Sequence, residues 1–204
     1  MPVETSRKTQ QERKSQSQKK LFDALITLIN RDGIKAATCE RIGKEAGLSR
    51  GMANQRLGKR KQMFENLVAR LGADQLETMA HMNIHAGSGY QALLDYIDVH
   101  FDAVINNPGY QAYFVLVAGS VADTPLLKDC VQQAHQFVHQ LLTEFILKGQ
   151  QDKSLNHGED AEQNAAILGS YLLGVAIQAK FTDAESVEKL KAGAVALISR
   201  MKSR

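Results

Sequence analysis

The chain has 204 residues, of which 44% are hydrophobic, 23% charged and 6% aromatic. This is the composition of a globular protein with one or two small domains, and it excludes collagen-like, mucin-like and wholly disordered chains. Beneath a formal net charge of +3, residues 1–61 hold 15 basic and 6 acidic side chains, a balance of +9, whereas residues 62–204 carry −6. A basic amino-terminal part favours contact with a polyanion, and a solvated basic tail is the alternative.

The amino-terminal third predicts a flexible arm followed by three helices. Residues 1–17 are rich in Lys, Arg, Gln, Ser and Thr and have little to bury, which is typical of a disordered arm. The next segment carries apolar residues at helical spacing and ends at Gly33. Thr38 and Ser49 are suitable N-caps for two short helices. The three helices are predicted over about Lys19–Gly33, Thr38–Ala46 and Arg50–Arg56.

The rest of the chain predicts six more helices and no sheet, because no segment of useful length alternates with period two. Turns are marked at Gly87–Gly89, Asn106–Gly109 and Asn156–Gly158. Thr124–Pro125 is typical of a cap followed by proline at the first helical position. The predicted helices are Arg60–His85, Tyr90–Asn106, Tyr110–Val121, Pro125–Gly149, Glu159–Lys180 and Asp183–Lys202.

The second and third helices, joined by Gly47–Ser49, have the spacing of a helix-turn-helix. In such a unit the second helix enters the DNA major groove with its first residues at base edges, while flanking groups contact phosphates. Arginine can pair with guanine, and asparagine or glutamine with adenine. Short helices with a glycine turn also occur in ordinary bundles. The residues predicted to contact DNA are Thr38, Ser49, Arg50, Gly51, Met52, Asn54, Gln55, Arg56, Lys59, Arg60 and Lys61.

Several positions in this region agree in register with known sequence patterns. They are Ala24, Leu28, Ile29 and Gly33 in the first helix, Thr38, Ile42, Ala46–Ser49 and Gly51 on the pattern T-x-x-x-I-A-x-x-A-G-V-S-x-G, and Gly58, Arg60, Met63 and Phe64 on the run G-S-K-x-x-L-F. On these residues the chain resembles the TetR family of bacterial transcription regulators. The resemblance implies an all-α fold of about nine helices, with an arm (1–17), a helix-turn-helix DNA-binding domain (18–62) and a ligand-binding and dimerisation domain (63–204).

Departures from the family pattern lie in the third helix, where Ala53–Leu57 replaces the run L-Y-x-H-F. Asn54 stands in place of a tyrosine that touches a phosphate, and Arg56 replaces a histidine. Gly43 stands where alanine is usual, which weakens the second helix. The family lysine that contacts phosphate corresponds to Arg60.

The resemblance implies that the last two helices form a four-helix interface with their copy in a homodimer, as two half-sites of a palindromic operator require. Gly169, Gly174 and Gly193 would allow close helix approach. An intramolecular core is the plain alternative for these apolar stripes. The residues predicted for the dimer interface are Leu168, Leu172, Val175, Val187, Leu190, Ala194, Leu197 and Met201.

The resemblance also implies a pocket for a small-molecule effector among the middle helices, although aromatic and Met side chains at helical spacing more often belong to plain core. Residues 103–122 contain no charge, so we expect an apolar or aromatic ligand. The candidate lining residues are Met79, Met82, Tyr96, Phe101, Tyr113, Phe114, Phe137 and Tyr171.

Two histidine pairs and one cysteine offer alternatives within the same fold. His81 and His85, like His135 and His139, are spaced i,i+4 and could share a metal ion, but no further ligands are evident and no metal site is assigned. Cys39 lies in the second helix, where basic surroundings would favour the thiolate. A metal- or redox-responsive regulator is therefore an alternative, and no cofactor is expected.

Sequence motifs of enzymes do not occur: there is no P-loop, dinucleotide fingerprint, H-E-x-x-H or G-x-S-x-G. A helical enzyme or carrier remains a rival. The chain opens without an apolar signal segment, and the uncharged stretches Ala103–Ala122 and Gln163–Ala179 are too polar or too short to span a membrane. We therefore predict a cytoplasmic, ligand-responsive repressor that binds a palindromic operator in double-stranded DNA as a homodimer. A nonspecific architectural DNA-binding protein is the alternative.

Overall fold

The computed structural model describes residues 9–122 and 125–202. Within these ranges the chain forms nine α-helices and no strand, apart from one isolated bridge between Leu155 and Lys202, so the predicted all-α fold is confirmed. The helices are α1 (Gln10–Asp32), α2 (Cys39–Glu45), α3 (Arg50–Leu57), α4 (Arg60–His81), α5 (Gly89–Asn106), α6 (Pro108–Ala122), α7 (Pro125–Gln151), α8 (Ala161–Gln178) and α9 (Ala184–Arg200).

Two helix boundaries differ from the predicted ones by more than two residues. Helix α1 begins at Gln10, because Thr9 and Glu12 form a capping box in which each side chain accepts the other's backbone N–H. Residues 10–17 of the predicted arm are therefore helical, whereas residues 1–8 and the predicted cap Thr124 lie outside the described residues. Helix α4 ends four residues early, because Asn83 adopts a left-handed conformation with φ of 53°.

The described residues up to Leu67 form one compact unit. Its core is the apolar stripe of α1 with side chains from the three helices that follow. At the surface, Arg31 bonds to Asp32 and to Glu45 in α2, and Arg41 also pairs with Asp32. The hydrogen bond from Arg31 holds the pKa of Asp32 below its ordinary value. The largest fully buried side chains of this unit are Phe64, Leu21, Leu25, Leu28, Ile29, Ile42, Leu57, Met63 and Leu67.

The residues from Val68 onward form a second unit around α5 and α7. The two helices approach so closely at Gly89 that a Cβ there would overlap the backbone of Gly149. A short loop after α7 fixes the start of α5, because Asp152 accepts the N–H of Gly89 at 2.7 Å and Ser154 accepts that of Tyr90 at 3.1 Å. Helices α8 and α9 complete the core of this unit.

Candidate functional site

The tight turn between α2 and α3 depends on two glycines, Gly47 in the turn itself and Gly43 in α2. Gly47 has φ of 67°, and the N–H of Leu48 donates to the carbonyl of Gly43 at 2.8 Å. A Cβ at position 43 would lie 2.9 Å from the carbonyl oxygen of Leu48. Gly43 therefore does more than weaken α2, since it gives the two helices of the helix-turn-helix the room to pack.

Helix α3 is fixed at both ends and exposes one face. Ser49 accepts the N–H of Met52 at 3.1 Å, just as Thr38 caps α2 by accepting the N–H of Arg41 at 3.3 Å. Ala53 and Leu57 are buried and anchor the helix. The exposed side chains of α3 are the ones predicted to read bases, namely Arg50, Gly51, Met52, Asn54 and Gln55.

A groove of about 570 Å³ lies between the starts of α2 and α3. Arg50, Gly51 and Asn54 line one side, and Thr38 lies on the other. Cys39, half-buried in α2, also borders this groove. The structure thus brings together the predicted base-reading residues and the cap of the preceding helix on one open surface.

The predicted phosphate-binding cations fall into different settings. Arg60 donates to the carbonyls of Ile34 at 2.7 Å and Ala37 at 2.8 Å, and its guanidinium lies over the ring of Phe64. Its main role is therefore to brace the unit, unlike the family lysine whose position it holds. Lys59 is exposed, whereas Lys61 lies 3.7 Å from Glu65.

Arg56 is half-buried in α3. Its Nε is buried and has no hydrogen-bond partner among the described residues.

The structure gives the residues predicted for the dimer interface a different setting. Most of them are buried inside a single chain, because the apolar stripes of α8 and α9 face α5 and α7. Leu190 and Leu197 are half-buried, and Leu190 packs against the same core. Of the three glycines, only Gly193 is closely approached, by the hydroxyl of Tyr171. The residues that belong to the core instead are Leu168, Leu172, Val175, Val187, Ala194 and Met201.

The eight predicted ligand-lining residues are not brought together either. Met82 borders one cavity and Tyr113 another, while Phe137 lies at the surface and is 42% exposed. Tyr171 donates its hydroxyl to the carbonyl of Leu190 at 2.8 Å. The remaining four are plain core, as their helical spacing also allowed: Met79, Tyr96, Phe101 and Phe114.

A polar cluster inside the second unit was missed by the sequence analysis. His100 is buried, and its Nε2 lies 3.2 Å from the carbonyl of Leu172. A carbonyl can only accept, so Nε2 carries the proton and Nδ1 accepts from the hydroxyl of Tyr110 at 3.1 Å. That hydroxyl accepts in turn from Gln75 at 3.2 Å. Burial lowers the pKa of His100 to about 4, so the imidazole is neutral at pH 7.

Gln75 and Tyr110 also border a cavity of about 400 Å³ that is lined by residues of α4, α5, α6 and α9. Its lining includes Asp98 and Asp102, which are spaced i,i+4 on α5. That spacing was the signal available in the sequence. The charged lining differs from the apolar pocket that we predicted.

Neither histidine pair gathers further ligands: in residues 9–122 and 125–202, no three His, Cys, Asp or Glu side chains come together to hold a metal ion. His81 contacts the carbonyl of Glu77 at 2.8 Å, and the ring of His85 packs against Phe145. None of the helices in these same ranges is long and apolar enough to cross a membrane.

Comparison with known proteins identifies the fold. No protein-family model and no curated protein sequence matches the chain. A TetR-family regulator from Agrobacterium tumefaciens matches with a TM-score of 0.79 and 15% identity, over 93% of this chain and 100% of that one. A transcriptional regulator from Saccharomonospora viridis, solved in complex with choline, gives 0.79 and 16%, over 93% and 99%. The fatty acid degradation regulator FadR from Bacillus halodurans gives 0.77 and 14%, over 98% and 100%.

These structures share their helical architecture with the chain. The protein has the TetR-family fold, and the resemblance carried by residues 24–64 is thereby confirmed at the level of the fold.

Proposed function

We propose that the protein is a sequence-specific DNA-binding transcription regulator and not an enzyme. The observation that carries the proposal is the open face of α3, where Arg50, Asn54 and Gln55 are exposed and the helix is fixed by its cap and by two buried side chains. Such a helix presents donors and acceptors that match base edges in the major groove. The basic balance of residues 1–61 supports attraction to the phosphate backbone.

Selection of duplexes from a random pool by the full-length protein tests this function. We expect an inverted repeat with half-sites about one helical turn, roughly 10 base pairs, apart. The selected duplex should bind at least about 10³-fold more tightly than random DNA at the same salt concentration. A pool that stays random although the protein binds it would identify an architectural DNA-binding protein and overturn the proposal.

Arg50→Ala is expected to relax discrimination at one base position of the selected duplex, at a cost of about 1–3 kcal/mol. Lys59→Gln is the matched variant, because its side chain is exposed beside α3 and is assigned to a phosphate. It should weaken binding to every sequence alike and lower the slope of log K against log salt by about one. Fluorescence anisotropy on single-base variants of the duplex measures both. An equal loss on all sequences for Arg50→Ala would contradict the base contact.

We also propose that the protein acts as a homodimer through the outward face of α8. That face is rich in small residues, with Ala166, Ser170 and Gly174 around Ile167, which is 51% exposed. Helices with small residues can approach closely, and a palindromic operator requires two copies.

Ile167→Glu is expected to convert the dimer to a monomer, because it places a charge in an apolar contact. Light scattering after size-exclusion chromatography measures the mass. Leu76→Glu, a similarly exposed position on α4, is the control and should stay dimeric. A monomeric native protein, or an Ile167→Glu variant that remains dimeric, would contradict this interface.

We infer finally that a small molecule bound in the second unit releases the protein from DNA, as a ligand does when it prefers one of two conformations. The choline complex of the Saccharomonospora viridis regulator supports a small-molecule site in this fold.

A further inference from the structure

The cavity in the second unit has the size of a small-molecule site. Its volume of about 400 Å³ falls within the range of ligand pockets, roughly 300–1,000 Å³. Part of its wall is apolar, formed by leucine, valine and alanine side chains of α4 and α5. A ligand with a hydrocarbon part could therefore bury it there.

Carboxylates outnumber cations around this cavity. Asp74 on α4 and Asp98 and Asp102 on α5 line it, together with one ammonium group, that of Lys191 on α9. Arg70 lies 3.8 Å from Asp74 but outside the lining. Even with Arg70 counted, the local charge is negative, so the cavity repels anions and attracts cations.

One amine of the chain itself, that of Lys191, already lies beside these carboxylates. The Nζ of Lys191 lies 2.8 Å from Asp98, and this hydrogen bond, followed by the charges of Asp98, Glu188 and Asp102, raises the pKa of Lys191. The ammonium group of Lys191 thus forms an ion pair with one carboxylate of the cavity, which shows that an alkylammonium group fits beside Asp98.

The inner wall is neutral and polar. Tyr110 is 8% exposed, and its hydroxyl is held between Gln75 and His100. Because that hydroxyl donates to His100 and accepts from Gln75, one acceptor lone pair remains for a ligand N–H. The aromatic ring adds a surface that favours a cation.

We propose that this cavity binds a small organic cation, an alkylamine or quaternary ammonium compound, whose charge lies against Asp98 and Asp102 and whose hydrocarbon part lies on the apolar wall. The role of this organic cation as the effector that controls DNA binding rests on the proposed function above. The ligand competes with Lys191 for Asp98, so removal of the lysine side-chain charge should tighten binding.

Isothermal titration calorimetry of the full-length protein with putrescine, spermidine and tetraethylammonium tests the proposal. We expect saturable binding of at least one of these cations and none of 1,4-butanediol or succinate, the neutral and anionic counterparts of putrescine. Asp102→Asn should weaken that binding about tenfold. Asp95→Asn removes the same charge from α5 outside the cavity and should leave it unchanged.

Lys191→Met separates a binding role from a structural one, because it should tighten cation binding, whereas general loss of structure would weaken it. Absence of saturable binding by all three cations at millimolar concentration would overturn the proposal. Binding that is equal in the native protein, Asp102→Asn and Lys191→Met would overturn it as well. The titrations contain no DNA, so their failure leaves the DNA-binding result intact, and a protein that binds the cation but no duplex contradicts only the proposed function.

Discussion

Gly89→Ala is expected to lower the free energy of unfolding of the second unit by about 3 kcal/mol, the upper end of the usual cost of overpacking. The added Cβ would lie well inside 3.0 Å of the nitrogen and Cα of Gly149 and of the carbonyl oxygen of Phe145. Backbone atoms of two packed helices cannot turn aside as a flexible side chain can. The helices must therefore separate, and the bonds that Asp152 and Ser154 make to the start of α5 would be strained with them.

Gly72→Ala is the matched control, since a Cβ at that position in α4 meets nothing within 4 Å. There the better helix propensity of alanine should stabilise the unit by up to about 1 kcal/mol. All five tyrosines lie beyond Leu67 and the chain has no tryptophan, so tyrosine fluorescence in urea reports on the second unit alone. Equal midpoints for the two variants would mean that the approach of α5 to α7 does not constrain position 89.

His100 is expected to make the second unit lose about 2 kcal/mol of stability between pH 7 and pH 5. Burial lowers the pKa of this imidazole to about 4 in the folded protein, against an ordinary value of 6.5. Well above pH 6.5 the group is neutral in both states and has almost no effect on stability. As the pH falls toward 4 the unfolded chain takes up a proton that the folded one does not, and stability decreases. Tyr96 and Tyr110, the titratable neighbours of His100, have pKa values that burial raises, so they stay neutral throughout.

His100→Gln should remove this pH dependence, because glutamine can donate to Leu172 and accept from Tyr110 but does not titrate in this range. His157→Gln, which removes an exposed imidazole, is the control. The measurement is the free energy of urea unfolding at several pH values between 7 and 5. A slope that is the same in the native protein and in His100→Gln would show that His100 is protonated in both states alike.

Most of the fold could be predicted from local signals. Helix starts after Thr38 and Ser49 follow from side chains that accept the N–H groups of the first turn, and these caps are found where the sequence suggests them. The start of α1 could not be predicted from periodicity, since residues 10–20 carry no apolar stripe. Its signal was the capping box of Thr9 and Glu12, which depends on two polar residues in an otherwise featureless segment.

The candidate DNA-binding surface was easier to predict than the cavity. A helix-turn-helix is local, so Arg50 and Asn54 share a face whatever the rest of the chain does. Arg60 shows the limit of prediction from local sequence. It donates to the carbonyls of Ile34 and Ala37, which are distant in sequence, and backbone carbonyls leave no recognisable sequence pattern. The cavity joins residues from four helices, from Asp74 to Lys191, and only tertiary packing brings them together.

Most of the residues predicted for the dimer interface lie in the core of one chain, and the reason is related. An apolar stripe reports that a helix face is buried, but it does not say whether the covering side chains belong to the same chain. In α8 the large residues Leu168 and Leu172 face inward, and smaller side chains such as Ala166 and Ser170 remain outside. Side-chain size along the two faces of α8, and not hydrophobicity alone, is therefore the basis on which the outward face is proposed as the partner surface.

The long start of α1 has a consequence for how this protein responds to temperature. Residues 10–20 form nearly half of a 23-residue helix, yet the first side chain that enters the core is Leu21. Those turns place no side chain in the core and depend on local contacts, such as the capping box and the bond of Ser17 to the carbonyl of Lys14, so they are marginally stable in water. They fray gradually on warming, whereas the packed turns after them are lost together with the surrounding core, so a single helix combines a non-cooperative and a cooperative transition.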